Sequence, residues 1–162
     1  MDNQLRLRKA TKEDMLFLFN LRNDPIVRES SFDTGKIKLE THTQWFNNKL
    51  KTKDCIILIA EYEAQRIGQI RFDINETVNT AEISISILPE FRGKGLGVNI
   101  LKLACDYAFK KLLIKEIFAF IKKRNLISLK AFSKVGFSTK GYSKHKGINC
   151  LEMNLELNKL KT

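Results

Sequence analysis

The chain has 162 residues, 43% of them hydrophobic, and its 29 lysines and arginines against 18 acidic residues give a formal charge of +11. This length and apolar content fit one globular domain over residues 1–162. No stretch approaches 18 consecutive apolar residues, and the N-terminus is polar and acidic rather than signal-like, so we expect a cytoplasmic protein without a membrane segment.

The positive charge indicates the kind of ligand to expect, and the cysteines indicate which kinds of site to exclude. A surplus of cations predicts an anionic ligand, but it does not choose between nucleic acid, an acidic membrane surface and a phosphorylated small molecule. Three cysteines are an odd number and lack Cys-x-x-Cys spacing. We therefore expect neither a disulfide framework nor a metal site.

The first half of the chain combines short strands with amphipathic helices. Residues 5–8 alternate as a strand, and the helix that follows ends at Asn23-Asp24-Pro25. A polar loop leads to a second helix over residues 39–50. Residues 55–62 and 66–73 then read as the two strands of a hairpin.

The second half continues with a strand over residues 82–87, which alternates polar and β-branched residues and is stopped by Pro89. The elements expected after it are a helix from about residue 97, a strand over 116–121, a helix over 125–135 closed by Gly136, and two strands from 137 and over 150–157. This order predicts an α/β fold with a central, mostly antiparallel mixed sheet of about seven strands and about four flanking helices.

A glycine-rich stretch at residues 89–97 joins the fourth strand to the next helix. Three glycines at alternate positions allow backbone N–H groups to turn toward an anion, and the helix end adds partial positive charge. The stretch therefore suits a phosphate or pyrophosphate, with Arg92 and Lys94 beside it. It is not a dinucleotide fingerprint, which would need glycine at Val98, nor a P-loop, which would need glycine at Leu88.

The spacing Arg-x-x-Gly-x-Gly at Arg92, Gly95 and Gly97 resembles the acyl-CoA pyrophosphate loop of the GNAT superfamily of N-acetyltransferases. A second resemblance follows the fifth strand, where many GNAT proteins carry an asparagine, a small residue, an aromatic residue and Lys-x-Gly-Phe. Here that motif reads Asn125, Ser128, Phe132, Lys134, Gly136 and Phe137. The order of elements is also similar to the GNAT fold over essentially the whole chain.

The resemblance implies that acetyl-CoA is the acetyl donor. In the family the pantetheine arm enters between the fourth and fifth strands and pairs with the backbone of the fourth, here Ile87 and Leu88. The other cofactor-binding residues that it implies are Arg92, Gly93, Lys94, Gly95, Leu96, Gly97, Asn125, Ser128, Phe132 and Lys134. An ordinary helix N-cap is the alternative role for Asn125.

Acetyl transfer to an amine needs a group that takes a proton from the amine. Glu82 begins the polar face of the fourth strand and is the predicted catalytic carboxylate, with Ser84 next to it on that face. Many GNAT enzymes have tyrosine at the position of Phe132, and phenylalanine cannot donate a proton to the leaving thiolate. Either the thiolate leaves unassisted, or it takes a proton from water or from another group such as Ser133 or Tyr142.

The acceptor is expected to lie against the first helices and the hairpin. These regions are similar to the GNAT domains of bacterial pseudaminic acid biosynthesis, which acetylate the 4-amino group of a UDP-linked 4-amino-4,6-dideoxy sugar. The predicted substrate-binding residues are Arg22, Asn23, Arg28, His42, Trp45 and Arg71. Stacking on Trp45 and pairing of the arginines with a diphosphate would recognise such a nucleotide-linked amino sugar.

Other functions stay open. A ribosomal-protein N-terminus or a polyamine is an alternative acceptor, although a polyamine site needs carboxylates and the chain is basic. A non-catalytic CoA-sensing domain is a further option. The basic clusters at 110–111 and 122–124 suggest a nucleic-acid-binding module, but they lack interleaved aromatic residues, so we expect no nucleic-acid partner. The oligomeric state is not fixed, and a homodimer is one option.

Overall fold

The structure is a computed structural model that describes residues 4–159. Seven strands form one sheet in the order β1-β2-β3-β4-β5-β7-β6. The strands are β1 (Leu5–Lys9), β2 (Cys55–Tyr62), β3 (Gln65–Asn75), β4 (Thr80–Ile87), β5 (Glu116–Lys122), β6 (Ser138–His145) and β7 (Ile148–Glu156). Only β4 and β5 pair in parallel, and the other neighbouring pairs are antiparallel. The predicted mixed, mostly antiparallel sheet of seven strands is confirmed.

Five α-helices flank this sheet, one more than the sequence predicts. They are α1 (Met15–Asn23), α2 (Pro25–Ser30), α3 (Leu39–Lys49), α4 (Leu96–Lys111) and α5 (Leu126–Val135). The additional helix is α2, which lies where we expected a loop after Pro25. That expectation was wrong because proline fits the first turn of a helix, and the Asp24 side chain accepts hydrogen bonds from the N–H groups of Ile26 and Val27.

The two faces of the sheet are covered unequally. On one face α4 and α5 pack over the main apolar core, which includes Phe72, Ile100 and Phe132. On the other face α1 and α3 form a smaller cluster with β2, centred on Phe46 and Ile59. The alternate residues of β3, β4, β5 and β7 that point toward this second face are largely polar, so a polar region borders the α1–α3 cluster.

No helix within residues 4–159 combines the length and the apolar character that a membrane crossing would need.

Candidate active site

The parallel strands β4 and β5 separate soon after they meet. They pair only where Thr80–Glu82 faces Glu116–Phe118. Beyond Glu82, β4 stays paired with β3 as far as Ile87, and β5 stays paired with β7. Within residues 4–159, no strand therefore pairs with the β5-facing edge of β4 after Glu82, and its backbone groups can bind a ligand.

The glycine loop enters α4 through two left-handed residues, Gly93 with φ 74° and Gly95 with φ 75°. Gly95 is the residue that precedes α4, and the first turn of the helix contains no acidic side chain. The first N–H groups of a helix lack intrahelical partners and favour an anion. Arg92 Nε donates to the Ile87 carbonyl at 3.0 Å, which ties the loop to the end of β4. This arrangement fits the pyrophosphate of acetyl-CoA.

Replacing Gly95 by alanine should weaken CoA binding about tenfold, because an L residue at this φ is disfavoured by roughly 1–2 kcal/mol. No atom lies within 4 Å of an added Cβ, so backbone conformation alone is tested. The matched control is Gly147→Ala, which has φ 78° in the turn between β6 and β7. Calorimetric titration should show weaker CoA binding for Gly95→Ala than for Gly147→Ala. Equal CoA affinities would contradict the role given to the loop.

The residues of the second motif lie at the start and along the length of α5. Asn125 Oδ1 accepts from the Ser128 N–H at 3.2 Å, so Asn125 is the N-cap of this helix. The Phe132 ring is only 3% exposed and packs edge-on against Phe137, with 4.9 Å between ring centroids. Lys134 is exposed. The structure thus shows the N-cap alternative for Asn125, and the cofactor-binding roles of these residues stay predictions.

The polar face holds a cavity of about 430 Å³ between β3, β4, β5 and β7. Four carboxylates line it, from Asp54, Asp73, Glu82 and Glu152, and Lys49 is the one cation among its lining residues. Asp73 and Glu82 are opposite each other in the β3–β4 pair. Two aromatic side chains of β5, Phe118 and Phe120, complete its apolar wall. The cavity is therefore strongly acidic in a chain of high positive charge.

Glu82 is the predicted catalytic residue that the structure places at this cavity. Its Oε1 lies 3.8 Å from Nε2 of His145, and its side chain is 35% exposed. Ser84 follows on the same face, opposite Arg71 of β3, and is not among the cavity-lining residues. Both catalytic roles stay predictions. Glu82 lines the cavity, and Ser84 does not.

Three of the predicted substrate-binding residues hold a loop of the chain itself. Arg22 donates to backbone carbonyls at 3.0 and 3.2 Å, Arg28 donates to another at 3.0 Å, and Asn23 Nδ2 donates to a fourth at 2.9 Å. All four carbonyls belong to residues 33–37. These side chains therefore fix the segment between α2 and α3, and their predicted contact with the acceptor stays untested.

The other three predicted substrate-binding residues lie between α3 and the sheet. Arg71 Nε is 2.9 Å from a carboxylate oxygen of Asp73, and its guanidinium lies over the Trp45 ring. His42 is 2% exposed, and its ring stacks on that of Phe46. Burial lowers the pKa of His42, and its Nε2 has no hydrogen-bond partner within residues 4–159. His42 thus belongs to the interior of the α1–α3 cluster and does not line the cavity.

Sequence comparison identifies the family. A profile described as Acetyltransferase (GNAT) domain matches residues 4–138. The chain belongs to the GNAT acetyltransferase family. The predictions of an enzyme, an N-acetyltransferase that uses acetyl-CoA, are thereby confirmed.

This GNAT chain is similar to named relatives along most of its length. Spermidine N(1)-acetyltransferase of Escherichia coli K12 is 26% identical over 144 residues, which cover 88% of this chain and 77% of the relative. A Bacillus subtilis protein provisionally named phosphinothricin acetyltransferase is 32% identical over 143 residues, covering 85% of this chain and 86% of the relative.

Comparison with solved structures supports the same fold. Spermidine N-acetyltransferase from Vibrio cholerae, crystallised with CoA and spermine, superposes with a TM-score of 0.89 at 22% identity and covers 98% of each chain. Spermidine acetyltransferases are thus among the relatives of this GNAT chain. The assignment to the pseudaminic acid branch, and with it the nucleotide-sugar acceptor, finds no support in these comparisons.

Sequence reasoning missed most of the acidic cavity. Asp54 precedes β2, Asp73 lies on β3 and Glu152 lies on β7, so residues far apart in the chain meet at one site. The alternation in β3 and β7 does place Asp73 and Glu152 on a non-core face, which is the signal that was available. His145 was also missed, because the sequence at residues 144–147 is typical of a turn between the last two strands.

Proposed function

We infer that this GNAT enzyme transfers acetyl from acetyl-CoA to a primary amine of a linear polyamine such as spermidine. The observation that carries the proposal is the cavity lined by Asp54, Asp73, Glu82 and Glu152 beside the separating strands. Carboxylates distributed around an open cavity match the spaced ammonium groups of a polyamine. A cytoplasmic location belongs to the same proposal.

The net charge of the chain does not oppose a cationic acceptor. Exposed charges farther away than about 10 Å are largely screened at physiological salt, so the groups that line the cavity dominate the potential inside it. Those groups are four carboxylates and Lys49. Two cations, Lys49 and Arg71, pair with Asp73 at 4.0 and 2.9 Å, which leaves Asp54, Glu82 and Glu152 as the excess negative charge. The basic composition of the whole chain is therefore no argument against a polyamine, because the net charge of the chain differs from the charge around the cavity.

A nucleotide-linked sugar matches the site less well than a polyamine does. The arginines predicted to bind its diphosphate have other partners: Arg22 and Arg28 bind carbonyls of the segment after α2, and Arg71 pairs with Asp73. A diphosphate in the acidic cavity would meet like charge. The similarity to the Escherichia coli spermidine N(1)-acetyltransferase, and to a Vibrio cholerae enzyme crystallised with spermine, supports the polyamine independently.

The nucleic-acid alternative also loses support. Lys122, in one of the two basic clusters that suggested it, is 5% exposed and donates to the Glu29 carbonyl of α2 at 2.9 Å. Burial lowers the pKa of this lysine, and the charge of Arg124 acts in the same direction. Lys122 therefore ties α2 to β5 and is not presented to a phosphate backbone.

In the proposed reaction each part of the site has a distinct role. Bound acetyl-CoA supplies an activated acetyl group. The loop at Gly93–Gly97 and the N-terminus of α4 hold the pyrophosphate, and the unpaired edge of β4 holds the arm. Glu82 accepts the proton that an ammonium group must lose before its nitrogen can attack. The remaining carboxylates hold the other ammonium groups of the acceptor.

Release of CoA thiol with a panel of acceptors tests the proposal. The panel contains spermidine, a UDP-linked 4-amino sugar, kanamycin and a ribosomal N-terminal peptide. We expect kcat/KM for spermidine to exceed that for the nucleotide sugar by at least about a hundredfold, since the acidic cavity attracts one and repels the other. A higher kcat/KM for the nucleotide sugar would overturn the polyamine assignment.

Glu152→Gln should raise the KM for spermidine about fivefold and leave kcat unchanged, because one partly exposed ion pair contributes up to about 1 kcal/mol. The KM of a monoamine acceptor should not change. Glu156→Gln on the same strand is the matched control, since Glu156 pairs with Lys159 and does not line the cavity. Equal effects of the two substitutions on the KM for spermidine would contradict the acceptor site.

A further inference from the structure

His145 is the last residue of β6, held by a tight turn. The turn consists of Lys146 with φ 50° and Gly147 with φ 78°, and His145 is paired with Ile148 across it. The ring stacks on Phe120 of β5 at 4.7 Å and meets the edge of Phe32, in the segment after α2, at 4.8 Å. Two aromatic side chains from separate elements therefore fix its orientation.

The imidazole connects the acceptor cavity to solvent. Its Nε2 lies 3.8 Å from Glu82 Oε1, and its side chain is 25% exposed. Phe120, on which it stacks, lines the same cavity and lies opposite Glu152 of β7. Glu82 of β4 is the charged group in contact with the ring, Glu152 of β7 lies across from Phe120, and the exposed Lys144 and Lys146 flank His145 along its own hairpin.

We propose that His145 works with Glu82 as a proton relay that carries the proton of the acceptor amine from the cavity to solvent. The inference rests on the proposed function, because it takes Glu82 as the group that receives that proton. The separation of 3.8 Å is longer than a direct hydrogen bond, and a small side-chain rotation would close it. His145 acts through Glu82 and is a positioning residue in this scheme.

The proton balance explains why a relay is useful. The amine enters as an ammonium ion, forms the carbon–nitrogen bond of the amide, and the carbon–sulfur bond of the thioester breaks. Of the two protons that the nitrogen loses, one ends on the CoA thiol and one in solvent. Glu82 takes the proton that ends in solvent, and a ring nitrogen of His145 can receive it from Glu82 and pass it to water, which returns Glu82 to its anionic form.

Two substitutions separate the relay from packing. His145→Phe keeps an aromatic ring between Phe32 and Phe120, and His145→Gln keeps a polar group, but neither can exchange a proton. We expect both to lower kcat at pH 7 by about 10- to 100-fold, without a change in the KM for acetyl-CoA. The loss should shrink toward pH 9.5, where hydroxide can take the proton. Lys144→Gln on the same hairpin is the control and should keep full kcat.

The acceptor panel and an NMR measurement keep the two proposals distinguishable. If the wild type prefers another amine to spermidine, the polyamine assignment fails, and the His145 variants are compared on that amine. If no amine is acetylated, NMR tests the coupling between His145 and Glu82 without turnover. The chain has two histidines, and Glu82→Gln should move the imidazole nitrogen resonances of His145 and not those of His42. Full kcat in His145→Gln and His145→Phe, or unmoved resonances where no amine is acetylated, would overturn the relay.

Discussion

Glu82→Gln is expected to lower kcat for spermidine at pH 7 by about 10²- to 10⁴-fold, the range that a positioned general base contributes. Glutamine has nearly the same shape as glutamate but cannot accept the proton of an ammonium group. The loss should narrow between pH 7 and 9.5, because more of the acceptor is then neutral in solution. Steady-state measurement of thiol release over this pH range gives both results.

The affinity for CoA should be unchanged in Glu82→Gln. Glu82 lies where β4 and β5 are still paired, five positions before Ile87, and the pyrophosphate loop lies beyond Ile87. Glu152→Gln serves as the matched control, since it removes a carboxylate from the same cavity and should alter KM and not kcat. A Glu82→Gln enzyme with wild-type kcat at pH 7 would remove Glu82 as the base.

Asp14→Asn is expected to lower the free energy of unfolding by about 3 kcal/mol, the cost of breaking a buried charge pair. The Asp14 side chain is 1% exposed and receives two hydrogen bonds from Arg8, at 2.8 and 2.9 Å. The Thr11 N–H donates to it at 2.8 Å, and Arg66 lies 3.3 Å away. Asparagine would leave the guanidinium of Arg8 with a partner of reduced charge, and urea denaturation measures the loss.

The same carboxylate makes the stability depend on pH in acid. Burial acts to raise the pKa of Asp14, but the hydrogen bonds from Arg8 and Thr11 outweigh it and lower the pKa to about 2 from 3.8. Its contribution is therefore complete above about pH 4 and is lost as the pH falls toward 2. A shift of this size corresponds to about 2 kcal/mol, which the wild type should lose in that window and Asp14→Asn should not.

An exposed ion pair supplies the control for this prediction. Asp106 and Lys110 are one turn apart on α4, with side chains 45% and 69% exposed. Because exposed pairs on a helix contribute only about 0.3–0.5 kcal/mol, Asp106→Asn should change the free energy of unfolding by no more than that. An effect of Asp14→Asn as small as this would show that the buried network around Arg8 does not stabilise the fold.

Local patterns predicted most of the elements. The apolar run of β2, the alternation in β4 and the glycine loop before α4 depend on neighbours within a few residues, so they can be predicted from the sequence. The short helix α2 was missed because six residues starting with proline carry no periodic signal, and its N-cap, Asp24, reads equally well as part of a turn. The second motif was found, yet the Asn125 side chain serves as a helix cap in the structure.

The sequence by itself determined the family and the mixed sheet, and it predicted an anion-binding loop at Arg92–Gly97, because these are local or follow from element order. Only the tertiary structure decided the electrostatics of the cavity beside Glu82. Asp54, Asp73, Glu82 and Glu152 come from four separate segments, and the sheet brings them to one cavity. The structure likewise placed His145 beside Glu82, since a contact across 63 positions of the chain depends on strand order and leaves no local pattern.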